Sequence, residues 1–324
     1  MAENAPFVVQ PELTAIALTY TNQALIADLV LPRVNVGSPA FKWTKFNMAD
    51  GFTLPNLKVG RKSRPEEIDW AASEQNDSTQ DYGLDDGVPY FDIKAAESAA
   101  AIAGVQPIDP VKTSTRILTS LVALGREQRV AASVFALATY PSAQRVTLSG
   151  TSQWSDFTNS DPVQAIMAAK DAMLVTPNKL VIGRQAWTKL RTHPKMIAAA
   201  YPLGGNASVG GAGVSKQAAA QVLELDEIIV GEAFINSAKR GQATNMARVW
   251  GKHAALIYVP AQIESTEGVI TFGATAQWGE KIAGTIDNDV NIGIRGGVRV
   301  RVGESLKEVI MASDAGYFFQ NAVA

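Results

Sequence analysis

The stretch DPVKTSTRILTSLVALGREQRVAASVFALATYP, Asp109 to Pro141, restricts the possible architectures more than any other part of the chain. Asp109 suits a helix N-cap, and Pro110 suits the first helical position, where its missing N–H is not needed. Ile117, Leu121, Leu124, Ala131 and Phe135 recur at helical steps along one face. Arg126, Glu127 and Arg129 form a polar cluster midway. At 1.5 Å per residue, about 30 residues make a rod of roughly 45 Å. Ordinary helices are far shorter, so the segment predicts an elongated backbone element. The alternative is a long core helix of an unrelated fold.

Composition narrows the chemistry. With 324 residues, 47% apolar and 19% charged, the chain can bury a real core. Its net charge of −2 predicts no avid partner of either sign, whereas a protein that grips DNA phosphates is usually markedly basic. There is no cysteine, which excludes disulfides, thiolate nucleophiles and Cys-ligated zinc. The two histidines, His193 and His253, are too few for a multi-histidine metal site. Carboxylates, Lys and Ser remain, but the commonest general-base and nucleophile arrangements are gone. No apolar run reaches the roughly 18 residues of a membrane span, and MAENAPFVVQ has no basic region leading into an apolar one, so no secretion signal is expected.

Residues 11 to 31, PELTAIALTYTNQALIADLVL, have helical spacing ended by Pro32, and PRVNVGSPAF reads as an arm lying on something else. FKWTKF, Phe41 to Phe46, alternates aromatic and polar residues as a half-buried strand does, and VPYFDI, Val88 to Ile93, is read as its returning partner. Between them the charges segregate. Lys58, Arg61, Lys62 and Arg64 come first; Glu66, Glu67, Asp69, Glu74, Asp77, Asp81, Asp85 and Asp86 follow with no Lys or Arg among them. Either this is an exposed loop, or it is a long β-hairpin arm that docks on a neighbouring subunit. Roughly 50 residues is long for an idle connection, and a lone hairpin is marginal in water, so such an arm gains its stability from a partner.

Farther on, DPVQAIMAAKDAM, NKLVIG, RQAWTKLRTH, SKQAAAQVLEL, DEIIVGEA and HAALIYV alternate helix and strand signals, predicting one mixed α/β domain with a central sheet. The end is β-rich. ITFGATAQW alternates at Ile270, Phe272, Ala274, Ala276 and Trp278. In VNIGIRGGVRVRV the residues Val290, Ile292, Ile294, Val298, Val300 and Val302 share one face. Arg295, Arg299 and Arg301 share the other; they pair with acids on an adjacent strand, or they face a neighbouring subunit or a polyanion.

Catalytic templates fail. In YPLGGNASVGGAGVSKQ (201–217), Gly205 and Gly210 have P-loop spacing, but Gly211 stands where Lys is required, and Ser215-Lys216 comes late and reversed. Gly211-Ala212-Gly213 lacks the third glycine of a dinucleotide fingerprint. The preceding HPKMIAAAYPL reads as helical, not as a strand, so the glycines supply backbone freedom in a loop. TLSGTSQWSD contains no G-x-S-x-G elbow. His193 and His253 lack sequence-local partners and are assigned structural roles, and Asp287 and Asp289 lack EF-hand spacing. No enzyme activity, metal or cofactor is expected.

The order of arm, charged hairpin, long helix, α/β domain and long returning strands resembles the major capsid protein of tailed bacteriophages, with its Hong Kong 97-type α+β fold. VLPRVNVGSPAFKWTKF (30–46), VGRKSRPEEIDW (59–70), TLSGTSQWSD (147–156), LVIGRQAWTKLRTHP (180–194), ARVWGKHAALIYV (247–259) and SDAGYFFQNAVA (313–324) carry the likeness. The resemblance implies an N-terminal arm over 1–40, an extended hairpin (the E-loop) over 41–95 and a peripheral domain with the spine helix over 96–155. It implies an axial α/β domain over 156–262 and return strands of the peripheral domain over 263–324. The implied function is self-assembly through hexamers and pentamers into an icosahedral head enclosing double-stranded DNA, formed in the host cytoplasm and kept in the virion. Trp43, Lys58, Arg61, Lys62, Arg64, Glu66, Glu67 and Trp70 are the implied intersubunit contacts of the hairpin. Other copies of the chain, a separate scaffolding protein, a portal and a decoration protein are the implied partners, with DNA held weakly and no membrane. The glycine loop then falls in the axial domain, where flexible backbone fits both five-fold and six-fold surroundings. Some members cross-link Lys to Asn; Lys58 and Lys62 lie in the right arm, but no local motif marks that chemistry. An encapsulin-like nanocompartment shell and an α/β enzyme are the alternatives.

Overall fold

The computed structural model describes residues 8–9, 25–46, 54, 57–65, 67, 72–103, 108–201, 213–239, 241–260 and 270–324. The helix expected before residue 25, most of the glycine loop, Glu66 and Trp70 lie outside them. The first elements are β1 (Val8–Val9), the single turn α1 (Ala27–Val30), β2 (Arg33–Val36), β3 (Ala40–Phe46), β4 (Ala72–Ser78) and β5 (Gln80–Pro89). Then come α2 (Tyr90–Ala103) and the long α3 (Pro110–Val134). Asp109 caps α3 as its residue type predicts, its carboxylate accepting from the Val111 and Lys112 amides. At 25 residues the helix is shorter than expected, about 37 Å long.

Next are β6 (Arg145–Thr147), α4 (Pro162–Asp171), β7 (Lys179–Gly183), α5 (Arg184–Thr192), α6 (Pro194–Ala200), α7 (Lys216–Val222), β8 (Glu227–Gly231), β9 (Phe234–Asn236), β10 (Met246–Arg248) and β11 (Ala254–Ile257). Asp161 caps α4 and Ser215 caps α7. The chain closes with β12 (Gly273–Asp289), β13 (Gly297–Ile310) and β14 (Gly316–Gln320).

Two five-stranded sheets carry the fold. One has the order β6-β14-β11-β7-β8 and supports the α/β elements. Strands β7, β8 and β11 read as short apolar runs because both faces are covered. Leu180, Ile182, Ile228, Val230, Leu256 and Phe319 pack on one side with Trp187, Leu190 and Ala219 of the helices. Val181, Ile229, Ala255, Ile257 and Phe318 pack on the other with Val130 and Val134 of α3. In the long sheet β12 pairs antiparallel with β1 and β13, β13 with β5, and β2 joins β12 in parallel.

Three expectations need correction. FKWTKF does return through an antiparallel partner, but the partner is β4, with Ala40 opposite Ser78 and Phe46 opposite Ala72. Val88 and Pro89 instead end β5, where Val88 is buried with Leu118, Val300 and Val302, and Tyr90 to Ile93 open α2. Second, Val290 and Ile294 do not share the buried face of β13. They stand fully exposed in a turn bent by Gly293 and Gly296, at φ +60° and +75°, so the alternation begins only at Gly297.

Third, α3 buries only part of the face expected of it: Ala131 is buried and Phe135 packs beside it, but the N-terminal half turns another face inward. Ile117 and Leu121 are 56% and 49% exposed, while Ser114, Thr115, Thr119, Arg126 and Glu127 are buried beside Leu118, Val122 and Val130. A polar face tolerates burial when its hydrogen bonds are made. Thr115 and Thr119 donate back to the Val111 and Thr115 carbonyls, and Ser114 donates to Asp86 on β5.

Candidate functional site

Arg126 and Glu127, adjacent on α3, fasten the N-terminal segment to the body. The Glu127 carboxylate accepts from the amides of Ile26 at 2.9 Å and Ala27 at 2.8 Å, the start of α1, and from the Trp250 indole at 2.5 Å. Burial pushes this carboxyl above its ordinary value, opposed by the Ile26 amide, the indole, the Ala27 amide and Arg126. Arg126 donates to Asp28 at 2.6 Å, to the Leu31 carbonyl at 3.0 Å and to Thr275 of β12 at 3.1 Å. Arg33 extends the network to Asp28, Gln277 and Glu304, and Lys281 stands 3.9 Å from Glu304. Burial opposes ionisation of Asp28, but Arg126 and Arg33 together hold its carboxyl below the ordinary value. Trp250 itself fits because β7 and β8 end in glycine. A Cβ on Gly231 would lie 2.2 Å from its indole, and one on Gly183 would lie 2.2 Å from the Gly251 carbonyl. The sequence shows the polar cluster but not its partners, which lie about 100 residues away.

The β3–β4 hairpin holds the expected contact residues. Lys58, Arg61, Lys62, Arg64 and Glu67 are exposed, and Trp43 is half-buried, its indole N–H without an acceptor among the described residues. Leu54 and Leu57, 83% and 75% exposed, accompany the four cations. The acids from Glu74 to Asp85 are engaged within the chain. Glu74 meets Lys42 at 2.8 Å, Asp77 meets Lys307 at 3.1 Å, and Asp81 accepts from Ser305. The Asp85 carboxylate accepts from Nε and Nη2 of Arg301, at 2.7 and 2.6 Å. Arg301 thereby holds the Asp85 carboxyl below its ordinary value. Arg299 bonds Asp289. Of the two readings of these arginines, pairing with acids in the chain holds for Arg299 and Arg301, and Arg295 lies in the exposed turn.

Both histidines serve structure. Nδ1 of buried His193 accepts from the Lys195 amide and caps α6, with Ser160 at 3.1 Å from Nε2. Nδ1 of His253 accepts from the Asn321 amide. Burial lowers both below the ordinary histidine value, in keeping with neutral rings that accept hydrogen bonds. Asp289 anchors the turn through Asn291 and Arg299. Among the described residues no carboxylate and histidine cluster could hold a metal, and no helix is long and apolar enough to cross a membrane.

Comparison with known proteins gives this geometry a context. A family model described as phage major capsid protein E matches residues 139–292. The major capsid protein of Pseudomonas phage JBD67 is 46% identical over 322 residues, covering 99% of each chain. A phage-related protein from Bordetella bronchiseptica RB50 has a similar crystal structure, with a TM-score of 0.73 at 23% identity over 98% of each chain. The capsid structure of cyanophage P-SCSP1u gives 0.59 at 12% identity, over 99% of this chain and 92% of that one. Identity of 46% from end to end sets aside the nanocompartment and enzyme alternatives. This chain belongs to the phage major capsid proteins, a structural and non-enzymatic family of the tailed-phage virion with the mixed α+β Hong Kong 97-type fold.

Proposed function

We propose that this capsid protein assembles through hexamers and pentamers into an icosahedral head enclosing double-stranded DNA, with the hairpin of each subunit lying across a neighbour. The observation that carries this reading is the β3–β4 hairpin itself, a sheet of two strands. Two strands alone are marginally stable in water. Here they lead to exposed Leu54, Leu57 and Val59 among Lys58, Arg61, Lys62 and Arg64, a surface that gains from being covered. Each exposed ion pair contributes only about 0–1 kcal/mol. Repeated around a ring with Trp43 and Trp70 as aromatic anchors, such pairs set register and keep assembly reversible.

In this reading residues 1–40 are the arm, 41–95 the docking hairpin, 96–155 the peripheral domain, 156–262 the axial domain and 263–324 the return. Strand β14 crosses that last division to complete the axial sheet, and β5 roots the hairpin in the long sheet. Scaffolding, portal and decoration proteins are the further partners of this assembly. The test is Arg61→Glu combined with Arg64→Glu, followed by negative-stain microscopy. Folded subunits with few closed shells are expected; normal shells in normal yield would overturn the docking role.

A further inference from the structure

We propose that the β9–β10 hairpin and the turn after it, residues 234–239 and 241–252, form a contact surface for the phosphate backbone of the enclosed DNA. This rests on the reading that the shell encloses DNA, and it names the surface involved.

The chain as a whole carries a net charge of −2, but its charges are unevenly placed. No acid occurs from Ala172 to Leu223, nor from Ala233 to Ile263, and cations are spread through both stretches. Of the acids that do occur in this region, Asp171 at the end of α4 and Asp226 and Glu227 at the start of β8 stand exposed away from the hairpin, and the others have cations or amides of their own. Glu232, at the root of the hairpin, bonds Arg184 at 2.6 Å; Glu224 bonds Lys170 at 3.1 Å; Asp161 bonds Lys195 at 3.1 Å; Asp156 closes its own turn. Among the described residues no carboxylate pairs with Lys239, Arg248 or Lys252.

Lys239 and Arg248 belong to the hairpin, and Lys252 to the turn that follows it. β9 pairs antiparallel with β10, Phe234 opposite Arg248 and Asn236 opposite Met246. The Asn236 side-chain oxygen accepts from both the Ala238 and Asn245 amides, and Ser237 donates to the Asn245 carbonyl, so the hairpin is fixed beyond its strands. The Arg248 guanidinium lies over the Phe234 ring, 4.2 Å from its centre, and keeps a half-exposed edge. Lys239 and Lys252 are exposed, as are Gln242, Thr244 and Asn245 between them. Cations with neutral hydrogen-bonding side chains and no acid suit a phosphate backbone and carry no base specificity. The rival occupant is an acidic face of a second copy. The strand acids Glu74, Asp77, Asp81, Asp85 and Asp86 are already engaged within their own chain and do not supply such a face.

The experiment titrates purified full-length protein into a short fluorescein-labelled DNA duplex and follows anisotropy across a salt series. The comparison is with the triple variant Lys239→Gln, Arg248→Gln, Lys252→Gln, and with Arg248→Lys, which keeps the charge. Each lost phosphate contact reduces the slope of log K against log salt by roughly 0.9, so the triple variant should lose about 2 to 3 units of slope and Arg248→Lys almost none. An unchanged slope at an unchanged thermal midpoint overturns the proposal, and so does a wild-type protein that does not bind the duplex. Loss of shells by the triple variant with an intact salt slope also overturns it, assigning the surface to contact between copies. Negative staining of the wild type keeps the two readings apart, because normal shells preserve the assembly reading whatever the duplex does.

Discussion

Glu127 is a buried carboxylate whose acceptor capacity is taken up by N–H groups from two distant parts of the chain, Ile26 with Ala27, and Trp250. Replacing it leaves three donors without a partner in a dry site and leaves Arg126 with one fewer carboxylate nearby. Breaking such a buried set typically costs about 3–5 kcal/mol. Glu127→Ala is therefore expected to lower the urea midpoint sharply and to open residues 25–36 to proteolysis; a wild-type midpoint would refute the fastening role. In the sequence Arg126 and Glu127 register only as a polar break in a helix. Hydrogen-bond partners about 100 positions away leave no local trace, whereas the caps Asp109 and Asp161 bond within three residues and are legible directly. The structural roles of His193 and His253 follow from the poverty of partners around them, but their use as amide acceptors required the fold.

The long helix and strand β5 were legible in unequal measure. Caps, approximate length and helical period of α3 follow from local rules, but its orientation does not. Periodicity finds the most apolar face, and in this helix the buried face holds Thr115, Thr119, Arg126 and Glu127, while Ile117 and Leu121 face outward. Strand β5 was masked by its acids, which read as a solvated run until the register with β13 set Asp85 opposite Arg301. The pH dependence of that pair has a definite sign. Arg301 holds the Asp85 carboxyl below its ordinary value, so the stabilisation is present above the unfolded carboxylate pKa of about 4 and is lost as the pH falls through the lower folded value. Thermal midpoints of wild type and Asp85→Asn should differ at pH 7, begin to draw together below about pH 4 and meet only once the pH is under the lower folded value; a constant gap would show that the charge contributes nothing.

Across the molecule, burial divides the chain into a well-packed α/β sheet and a hairpin with little of its own to rest on. Hydrogen exchange should report the difference. Amides of β7 and β11 are expected to be protected in free subunits and shells alike, and those of β3 and β4 only in shells. Equal protection of β3 and β4 in free subunits would mean that the hairpin is stable without a neighbour. Apolar periods, caps, glycine and proline positions and the segregation of charge are properties of neighbouring residues. They were enough to indicate the order of most elements, to offer no catalytic template and to carry the resemblance on which the family assignment began. Pairing is different, because any strand of suitable pattern can serve as a partner until the whole chain is packed. The return of FKWTKF through β4, the burial of a charged helix face and the fastening of residues 26–33 by Arg126 and Glu127 are decided by contacts between distant segments, which exist only once the chain has folded.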